Sequence, residues 1–576
     1  MKKIIASLAI LMISGCSGSD RELSGPTSSQ ESVNSPLKGP LIMIAIDSLH
    51  PSYLDLDRSG NRGGSDGNWL MPNIHRFLSG ASWYKNAEAY LPAATDMNHI
   101  NALAGTSSAL TGEIGISTMM TGWRAPTDRW GKYSKWTPIL EKTDMAMLRD
   151  NEGRSVDTLF HSWKREHPES KTAFISGKGW VAEMFRSQKV VDLIVTGDSH
   201  PDYIKSPERR SMIDPPGDED GACEPRSLKQ RAFSAFLESK SSKFPSDKWT
   251  VDAALKIFEK ENPGMTYILL AQQDDEGHAL GAAFNPDEFT ESKSSHIPRI
   301  GCKFRPEYRL VSKRDRAVYR EPILDAAREV DRQFGRLMDG LRERGVLENA
   351  AVVLFSDHSM VTHQEVYDKK VVKSTDIKAI LAKEGLIGKD DFFPYTATSI
   401  GLLYFRNGKE RVPRAKEVLE AQKVYNRQTA QPESPWYVLD RDDMRNGVEG
   451  VALPGELYHA YFVDADREKS IVWPDLVVLA KNGWQLPTYG GLAMNIGVSF
   501  PDTKLDLSFL RLYPLTGGHG SIDTRPIVMA FSLPYRKQQV LERKTMISDI
   551  AATLSSLYNL RIQSTMSGED LSSEVR

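Results

Sequence analysis

Short runs of apolar residues recur along the chain, separated by longer segments of mixed polarity. The clearest runs are Leu41–Ile46, Thr172–Ile175, Leu193–Thr196, Tyr267–Ala271 and Ala351–Phe355. They are rich in Val, Ile and Leu without regular polar alternation, which is typical of parallel strands covered on both faces. We therefore predict a buried strand at each of these positions.

A different periodicity marks the helices between these runs. Segment 322–345 has an apolar residue at every third or fourth position, with Pro322 near its start and Gly345 at its end. Such spacing and punctuation predict a helix that packs one face against a core. Strands that alternate with helices predict an α/β fold, in which a doubly wound, mostly parallel sheet carries helices on both faces.

Changes in this pattern suggest the domain organisation. The core is expected over 41–374, with polar insertions near 198–247 and 279–315. Mixed polar and aromatic sequence over 375–500 predicts an inserted cap or subdomain, after which 501–576 returns to the core.

Composition narrows the class of protein. The chain has 576 residues, of which 40% are hydrophobic and 26% charged, as in ordinary globular proteins. These values exclude a disordered, collagen-like or multi-span membrane protein. The formal net charge of −3 gives no reason to expect binding to nucleic-acid duplexes.

The beginning of the chain is typical of an export signal. Residues 1–16 combine a basic start with an apolar stretch too short to span a bilayer, and end in Ile-Ser-Gly-Cys. This ending resembles a bacterial lipobox, which makes Cys16 the expected site of lipidation and 17–40 a flexible tether. Ser17, in place of aspartate, favours the outer membrane, facing the periplasm or the exterior. The alternative is a plain signal peptide with a chance cysteine.

Cys223 and Cys302 remain once Cys16 is assigned to lipidation. In an oxidising compartment we expect a disulfide between them, the alternative being two unpaired thiols.

Three predicted strands are followed by aspartates, namely Asp47, Asp274 and Asp357. The carboxyl ends of parallel strands meet at one edge of a sheet, where ligands bind. Carboxylates gathered there repel one another unless cations lie between them. The pattern therefore predicts a metal site.

Histidines accompany these aspartates. His278 follows Asp274 by four residues, His358 is adjacent to Asp357, and His519 lies in a glycine-rich loop. Any one of them is more often a packing residue than a ligand. Together, mixed Asp and His ligands favour zinc, and catalytic zinc sites keep a position open for water or substrate.

Five short motifs carry a family resemblance. They are IAIDSL at 44–49, TDMNH at 95–99, DDEGH at 274–278, SDHSM at 356–360 and GGHGS at 517–521. In this order they resemble the alkaline phosphatase superfamily, and within it the type I phosphodiesterase/nucleotide pyrophosphatase branch. The resemblance implies an alkaline phosphatase-like α/β fold that hydrolyses phosphoric esters.

The resemblance also implies two zinc ions, with manganese as the alternative. One set of ligands would be Asp47, Asp357, His358 and the Thr95 oxygen, and the other Asp274, His278 and His519. Thr95 would be the nucleophile, since a threonine hydroxyl needs activation by a metal at neutral pH. The competing interpretation of Thr95 is a helix N-cap, and the two roles are compatible.

The chain departs from this family where a phosphoryl-binding asparagine is expected. Segment 112–120 contains no asparagine, which leaves Ser117, Thr118 or Asn98 as the candidate donor. Asn98 matches the Asn-His pair of the family, and its main role is expected to be structural.

A second departure concerns the substrate. Phosphomonoesterases of the superfamily carry a Lys-x-Arg pair, whereas this chain has Lys178 followed by Trp180. Without the arginine, the site has one cation fewer for a dianionic phosphate. This favours diesters, pyrophosphates or phosphonates as substrates, with a planar group of the substrate near Trp180. Lys178 could instead be a solvated loop residue, and Trp180 a core residue.

These observations predict a metal-dependent phosphodiesterase or pyrophosphatase anchored at the cell envelope. Its expected substrates are small phosphoesters of the nucleotide or lipid headgroup class. An alkaline phosphatase-like phosphomonoesterase and a catalytically silent binding lipoprotein of the same fold are the alternatives.

Overall fold

The structure is a computed structural model that describes most of the chain from residue 35 onward. The described ranges are 35–106, 123–124, 137–138, 156–196, 246–282, 299–300, 303–304, 316–362, 374–388, 392–405, 409–426, 431–448, 451, 474–481, 517–534, 539–561 and 565–576, without positions 92, 187, 281 and 398. The predictions for Cys16, Cys223, Cys302, Ser117 and Thr118 lie outside these ranges, as does almost all of the 198–247 insertion.

The longer strands are numbered along the chain. They are β1 (Leu41–Ile46), β2 (Ser82–Glu88), β3 (Thr172–Ser176), β4 (Leu193–Thr196), β5 (Met265–Leu270), β6 (Ala351–Phe355), β7 (Phe392–Ala397), β8 (Ile400–Phe405), β9 (Trp436–Leu439), β10 (Leu476–Ala480), β11 (Pro526–Ser532) and β12 (Gln539–Met546).

Eight of these strands form the main sheet, in the order β12-β2-β11-β6-β1-β5-β3-β4. Strand β11 is antiparallel to both of its neighbours, and the remaining pairs are parallel. The register aligns the carboxyl ends of the central strands, because Ala45 of β1 pairs with Phe355 of β6 and Ile46 with Leu270 of β5. The residues that follow these three strands therefore start from the same edge.

Helices of four or more residues are numbered in the same way. They are α1 (Pro72–Leu78), α2 (Thr95–Ala104), α3 (Leu159–Glu166), α4 (Gly179–Glu183), α5 (Asp247–Glu261), α6 (Gln272–Leu280), α7 (Arg316–Glu343), α8 (Ser374–Lys383), α9 (Val412–Glu420), α10 (Arg441–Asn446), α11 (Asp549–Tyr558) and α12 (Ser572–Val575).

Strand β1 shows how the sheet is covered on both faces. All six of its residues are buried. Leu41, Met43 and Ala45 pack in one apolar cluster with residues of α2, α3 and α11. Ile42, Ile44 and Ile46 pack in the opposite cluster, against α1, α5 and α7. A strand buried on both faces needs a continuous apolar sequence, which explains why the run at 41–46 has no polar alternation.

The predicted fold class is confirmed. Strands β1, β4 and β6 have the predicted bounds, whereas β3 ends one residue later and β5 begins two residues earlier than predicted. The helix predicted over 322–345 begins earlier, at Arg316, and ends at Glu343. Pro322 therefore lies within this helix rather than near its start.

A second, four-stranded sheet with the order β7-β8-β10-β9 is built from residues after 390. One of its faces packs with α8 and α9, through Leu403, Val418 and Val478 among others. From the other face, Leu402 and Val477 join the same apolar cluster as Leu41. This sheet therefore shares a core with the main sheet.

Short ladders complete the described structure. They pair Val361–Thr362 with Gly517–Gly518, Val424–Asn426 with Gln431–Glu433, Trp123–Arg124 with Thr137–Pro138, and Arg299–Ile300 with Lys303–Phe304. The first of them brings the loop of His519 to the strand edge where β6 ends. In the part of the chain that the structure describes, no helix has both the length and the apolar character needed to cross a bilayer.

Candidate active site

The predicted metal ligands and Thr95 meet at the carboxyl edge of the main sheet. Asp47 directly follows β1, and Asp357 and His358 follow β6. Thr95 is the first residue of α2. Asp274 and His278 lie four residues apart in α6, and His519 comes directly after the Gly517–Gly518 ladder. Segments far apart in sequence therefore supply one site.

The first cluster surrounds the Nε2 atom of His358. This atom lies 3.0 Å from Thr95 Oγ1, 3.4 Å from Asp357 Oδ2 and 3.6 Å from Asp47 Oδ1. Atoms that bind a tetrahedral zinc ion at about 2.0–2.2 Å are about 3.3–3.6 Å from one another. The separations in this cluster fall close to those of a ligand set around one ion.

The second cluster contains Asp274, His278 and His519, with one potential ligand atom of each within 4.8 Å of the others. Asp274 Oδ1 lies 3.5 Å from His278 Nε2. The His519 ring stacks on the ring of His358, with centroids 3.9 Å apart, so the two clusters are neighbours. The structure thus brings together the residues of each predicted ligand set.

Carbonyl oxygens fix which nitrogen of two histidines faces the site. His358 Nδ1 lies 3.1 Å from the Ser359 carbonyl oxygen, and His519 Nδ1 lies 2.9 Å from that of Ala93. A carbonyl oxygen only accepts hydrogen bonds, so each Nδ1 donates and carries the proton. Each Nε2 keeps its lone pair, as metal-binding imidazoles require.

Burial keeps these imidazoles neutral. It lowers the pKa of His358 to about 3 and that of His519 well below its usual value. Burial also lowers the pKa of His99 to about 4. Neutral imidazoles suit a metal site because a protonated ring has no lone pair for an ion.

The buried carboxyl groups of the site, in contrast, bring more negative charge together than nearby positive groups neutralise. Burial, together with Asp274 and Asp357, raises the pKa of Asp47 well above its usual value. Burial is also the main cause of the raised pKa of Asp357. Asp47 Oδ1 and Asp357 Oδ2 have no hydrogen-bond partner among the described residues. Additional positive charge at these two oxygens would favour their ionised forms.

Lys178 is the buried cation of the site. It directly precedes α4, is 3% exposed, and its Nζ donates to Asp47 Oδ2 and to Asp274 Oδ2, each at 2.6 Å. Burial opposes its charge, but Asp274 and Asp47 outweigh burial and raise the pKa of Lys178. The alternative of a solvated loop lysine is therefore wrong.

Ser48 links the two clusters, and the sequence analysis did not identify it. Its Oγ lies 2.6 Å from Asp274 Oδ1 and 3.1 Å from His358 Nδ1, and its amide donates to Asp357 Oδ1 at 3.2 Å. Its φ of 64° lies in the left-handed region, which is costly for a residue other than glycine. The sequence feature that could have pointed to Ser48 as a site residue is its position directly after Asp47 in the IAIDSL motif.

His99 and Tyr267 form a further layer behind Asp357. His99 Nδ1 lies 2.6 Å from the Tyr267 hydroxyl, and its Nε2 lies 3.4 Å from Asp357 Oδ2. Asp47, His99 and Asp357 also form a group whose potential ligand atoms lie within 4.8 Å of one another. His99 belongs to the TDMNH motif, but its identity alone gave no sign of this contact.

The structure tests the N-cap interpretation of Thr95. Ala94 is the N-cap of α2, and Thr95 is already helical. The Thr95 hydroxyl contacts His358 instead of a backbone amide of its own helix. The N-cap interpretation is therefore wrong, and the Thr95 hydroxyl lies beside His358 in the first cluster.

Asn98 has a structural position. Its side-chain oxygen accepts from the Tyr90 amide at 3.0 Å, and its Nδ2 donates to the carbonyl oxygens of Tyr90 at 3.1 Å and Ala94 at 3.3 Å. These contacts hold the chain just before Thr95 in place, and they give no support to a substrate-binding role. Trp180 is the second residue of α4, and its side chain lies outside the described part of the structure.

The donor set fits divalent metal ions, and zinc in particular. Asp and neutral His side chains converge on it, and two carboxylate oxygens lack partners among the described residues. Asp47, Asp357, His358 and Thr95 would hold one ion, and Asp274, His278 and His519 the other.

Known sequences and solved structures provide a comparison for most of the chain. No curated protein sequence matches the chain. Among solved structures, it is similar to murine ectonucleotide pyrophosphatase/phosphodiesterase 5, with 12% identity, a TM-score of 0.48, and 92% of this chain and 97% of that chain covered. The human protein of the same name is also similar, with 13% identity and a TM-score of 0.49. The match covers 92% of this chain and 97% of the human chain.

The family assignment comes from the sequence. Residues 41–521 match the family described as type I phosphodiesterase / nucleotide pyrophosphatase. This range includes both clusters, Lys178 and Thr95, and it extends over most of the chain. The chain therefore belongs to the type I phosphodiesterase/nucleotide pyrophosphatase family and is a phosphoric ester hydrolase.

Proposed function

We propose that this hydrolase is a two-zinc phosphodiesterase or pyrophosphatase of the cell envelope, with Thr95 as its nucleophile. The observation that carries the proposal is the arrangement around His358 Nε2, where Thr95 Oγ1 lies at 3.0 Å beside two buried aspartates. Of the four atoms in that cluster, the Thr95 oxygen is the only hydroxyl oxygen, and the carboxylate and imidazole atoms beside it would serve as ligands of the bound ion.

The proposed reaction proceeds in two displacements. Thr95 Oγ bonds to phosphorus as the bond to the leaving alcohol or phosphate breaks, and the leaving oxygen takes up a proton. Water then attacks the phosphothreonine, the bond between phosphorus and Thr95 Oγ breaks, and a proton from the water restores the Thr95 hydroxyl. Two bound divalent ions would supply Lewis acidity, lowering the pKa of the attacking hydroxyl and neutralising phosphoryl oxygens.

The residues themselves position the phosphoryl group. Thr95 is at the amino end of α2, where backbone amides attract an anion. The hydrogen bonds of Asn98 to Tyr90 and Ala94 hold that end of the helix in place. Lys178 contributes a fixed positive charge beside both metal clusters.

Charge favours a diester over a monoester. Three carboxylates and one ammonium group line the site, and burial favours the neutral forms of His358 and His519. Two divalent ions and a Thr95 alkoxide would leave one net positive charge, which a monoanionic diester neutralises. Asp96 follows Thr95 in the chain, and burial raises its pKa to about 7, so this carboxyl group is partly neutral at pH 7 and adds less than a full negative charge.

The substrate preference can be measured directly. We expect the full-length, zinc-loaded chain in detergent to cleave bis-p-nitrophenyl phosphate with a kcat/KM at least about tenfold above that for p-nitrophenyl phosphate. A preference for the monoester would identify an alkaline phosphatase-like enzyme instead. Two bound ions without turnover of either ester, or of dinucleotide and lipid-headgroup diesters, would favour the silent binding protein.

The envelope location rests on the sequence of residues 1–16. We expect Cys16→Ser to abolish incorporation of radiolabelled palmitate and to release the protein from the membrane fraction, because lipid acyl chains supply the membrane affinity. Cys223→Ser is the matched control and should remain labelled. Membrane retention of unlabelled Cys16→Ser would show that another part of the chain holds it there.

A further inference from the structure

Lys178 contacts two of the predicted metal ligands, and a role in substrate binding alone does not explain these contacts. Its Nζ lies 2.6 Å from Asp47 Oδ2 and 2.6 Å from Asp274 Oδ2. Asp47 belongs to the first predicted ligand set and Asp274 to the second, and potential ligand atoms of both also lie within 4.8 Å of His358. A single ammonium group therefore bridges carboxylates from both proposed ion sites.

The backbone holds Lys178 at this point. The Lys178 carbonyl oxygen accepts from Ser176 Oγ at 2.7 Å and from the Val181 amide at 3.1 Å. These bonds fix the turn between β3 and α4, and the lysine is 3% exposed. The side chain therefore enters the site from a rigid turn.

The two oxygens of each carboxylate face different partners. On Asp47, Oδ2 accepts from Lys178, whereas Oδ1 lies 3.6 Å from His358 Nε2. On Asp274, Oδ2 accepts from Lys178, whereas Oδ1 lies 3.5 Å from His278 Nε2. One oxygen of each aspartate faces its histidine cluster, and the other faces the lysine.

We propose that Lys178 is a built-in cation that opposes the binding of metal ions while stabilising the protein before they bind. Like charges at such short range repel in a buried site of low effective dielectric, so a fixed ammonium group weakens the affinity for any nearby cation. Without a cation, buried carboxylates repel one another, so the same ammonium group stabilises the fold. The inference rests on the proposed two-ion site.

This proposal predicts two effects of opposite sign for Lys178→Met. Zinc should bind at least about tenfold more tightly, measured by competition with a chelating dye. The melting temperature of the chelator-treated protein should fall by about 2–5 °C. A residue that only packs or orients ligands would lower both the affinity and the melting temperature. A residue that only contacts substrate would change neither, while raising KM.

Control variants separate charge from shape. Lys178→Arg keeps the charge and should leave the zinc affinity within about threefold of the wild type. Lys178→Gln, a smaller change in polarity, replaces Lys178→Met if the latter does not fold. Lys171→Met is the matched control at the other end of β3, where the half-exposed Lys171 lies 2.6 Å from Glu261. It should leave the zinc affinity unchanged.

The outcomes distinguish this inference from the proposed function. Two equivalents of zinc bound with equal or weaker affinity by Lys178→Met would overturn the role of Lys178 and leave the two-ion site intact. A wild-type chain that takes up no zinc would overturn the two-ion site, and the role of Lys178 with it.

Discussion

Replacing Thr95 with alanine is expected to lower kcat/KM for diester hydrolysis by at least about 10³-fold. The change removes the oxygen that lies 3.0 Å from His358 Nε2, and no other hydroxyl contacts that atom among the described residues. The fold should be retained, because the alanine methyl group fits where the threonine side chain was and no backbone cap is lost. Steady-state kinetics and circular dichroism check both statements.

Thr95→Ser is the matched variant, since it keeps a hydroxyl at the same position. We expect it to recover a large part of the activity that the alanine variant lacks. Acid quenching during turnover, followed by intact-mass measurement, should reveal a phosphorylated wild-type chain and an unmodified alanine variant. An alanine variant within about tenfold of the wild type would show that water attacks the substrate directly.

His519→Ala should halve the zinc content, from two equivalents per chain to one. His519 belongs to the second cluster with Asp274 and His278, and its Nδ1 lies 2.9 Å from the Ala93 carbonyl oxygen. Loss of one of three ligands in that cluster weakens zinc binding far more than it weakens the fold. We expect kcat/KM to fall by at least about 10²-fold.

The metal content is measured by elemental analysis after gel filtration. His75→Ala is the control, because His75 lies on α1, stacks on Trp69 and contacts the Leu54 carbonyl oxygen, away from both clusters. It should retain two equivalents. Two equivalents in His519→Ala as well would mean that another residue supplies the third ligand of the second site.

The parts of the fold that follow from burial could be predicted from sequence. Leu41–Ile46 has to be apolar at every position because helices cover both faces, and its predicted bounds agree with the structure. The antiparallel β11 gave no such signal, because its direction depends on how the chain returns to the sheet. Pro322 likewise misled the prediction of α7, because proline is common at helix starts but here lies six residues after the first helical residue, Arg316.

The same division applies to the site. Asp and His residues in short motifs pointed to metal chemistry, and the structure brings those residues together. Ser48, His99 and Tyr267 were missed because their chemistry depends on neighbours distant in sequence, such as Asp274 for Ser48. The N-cap interpretation of Thr95 failed because helix α2 begins one residue before the position that the motif suggested.

The order of strands in the main sheet bears on how the protein folds. Strand β2, from early in the chain, lies between β11 and β12, which come from its last part. His519, just before β11, likewise completes a cluster whose other members lie far upstream. Contacts between such distant segments close late in folding, since long loops must be ordered first. A chain interrupted before residue 517 would lack both the central antiparallel strand and the third ligand of the second cluster. Binding at the proposed second ion site would therefore require the late segment that carries His519 to be folded against Asp274 and His278.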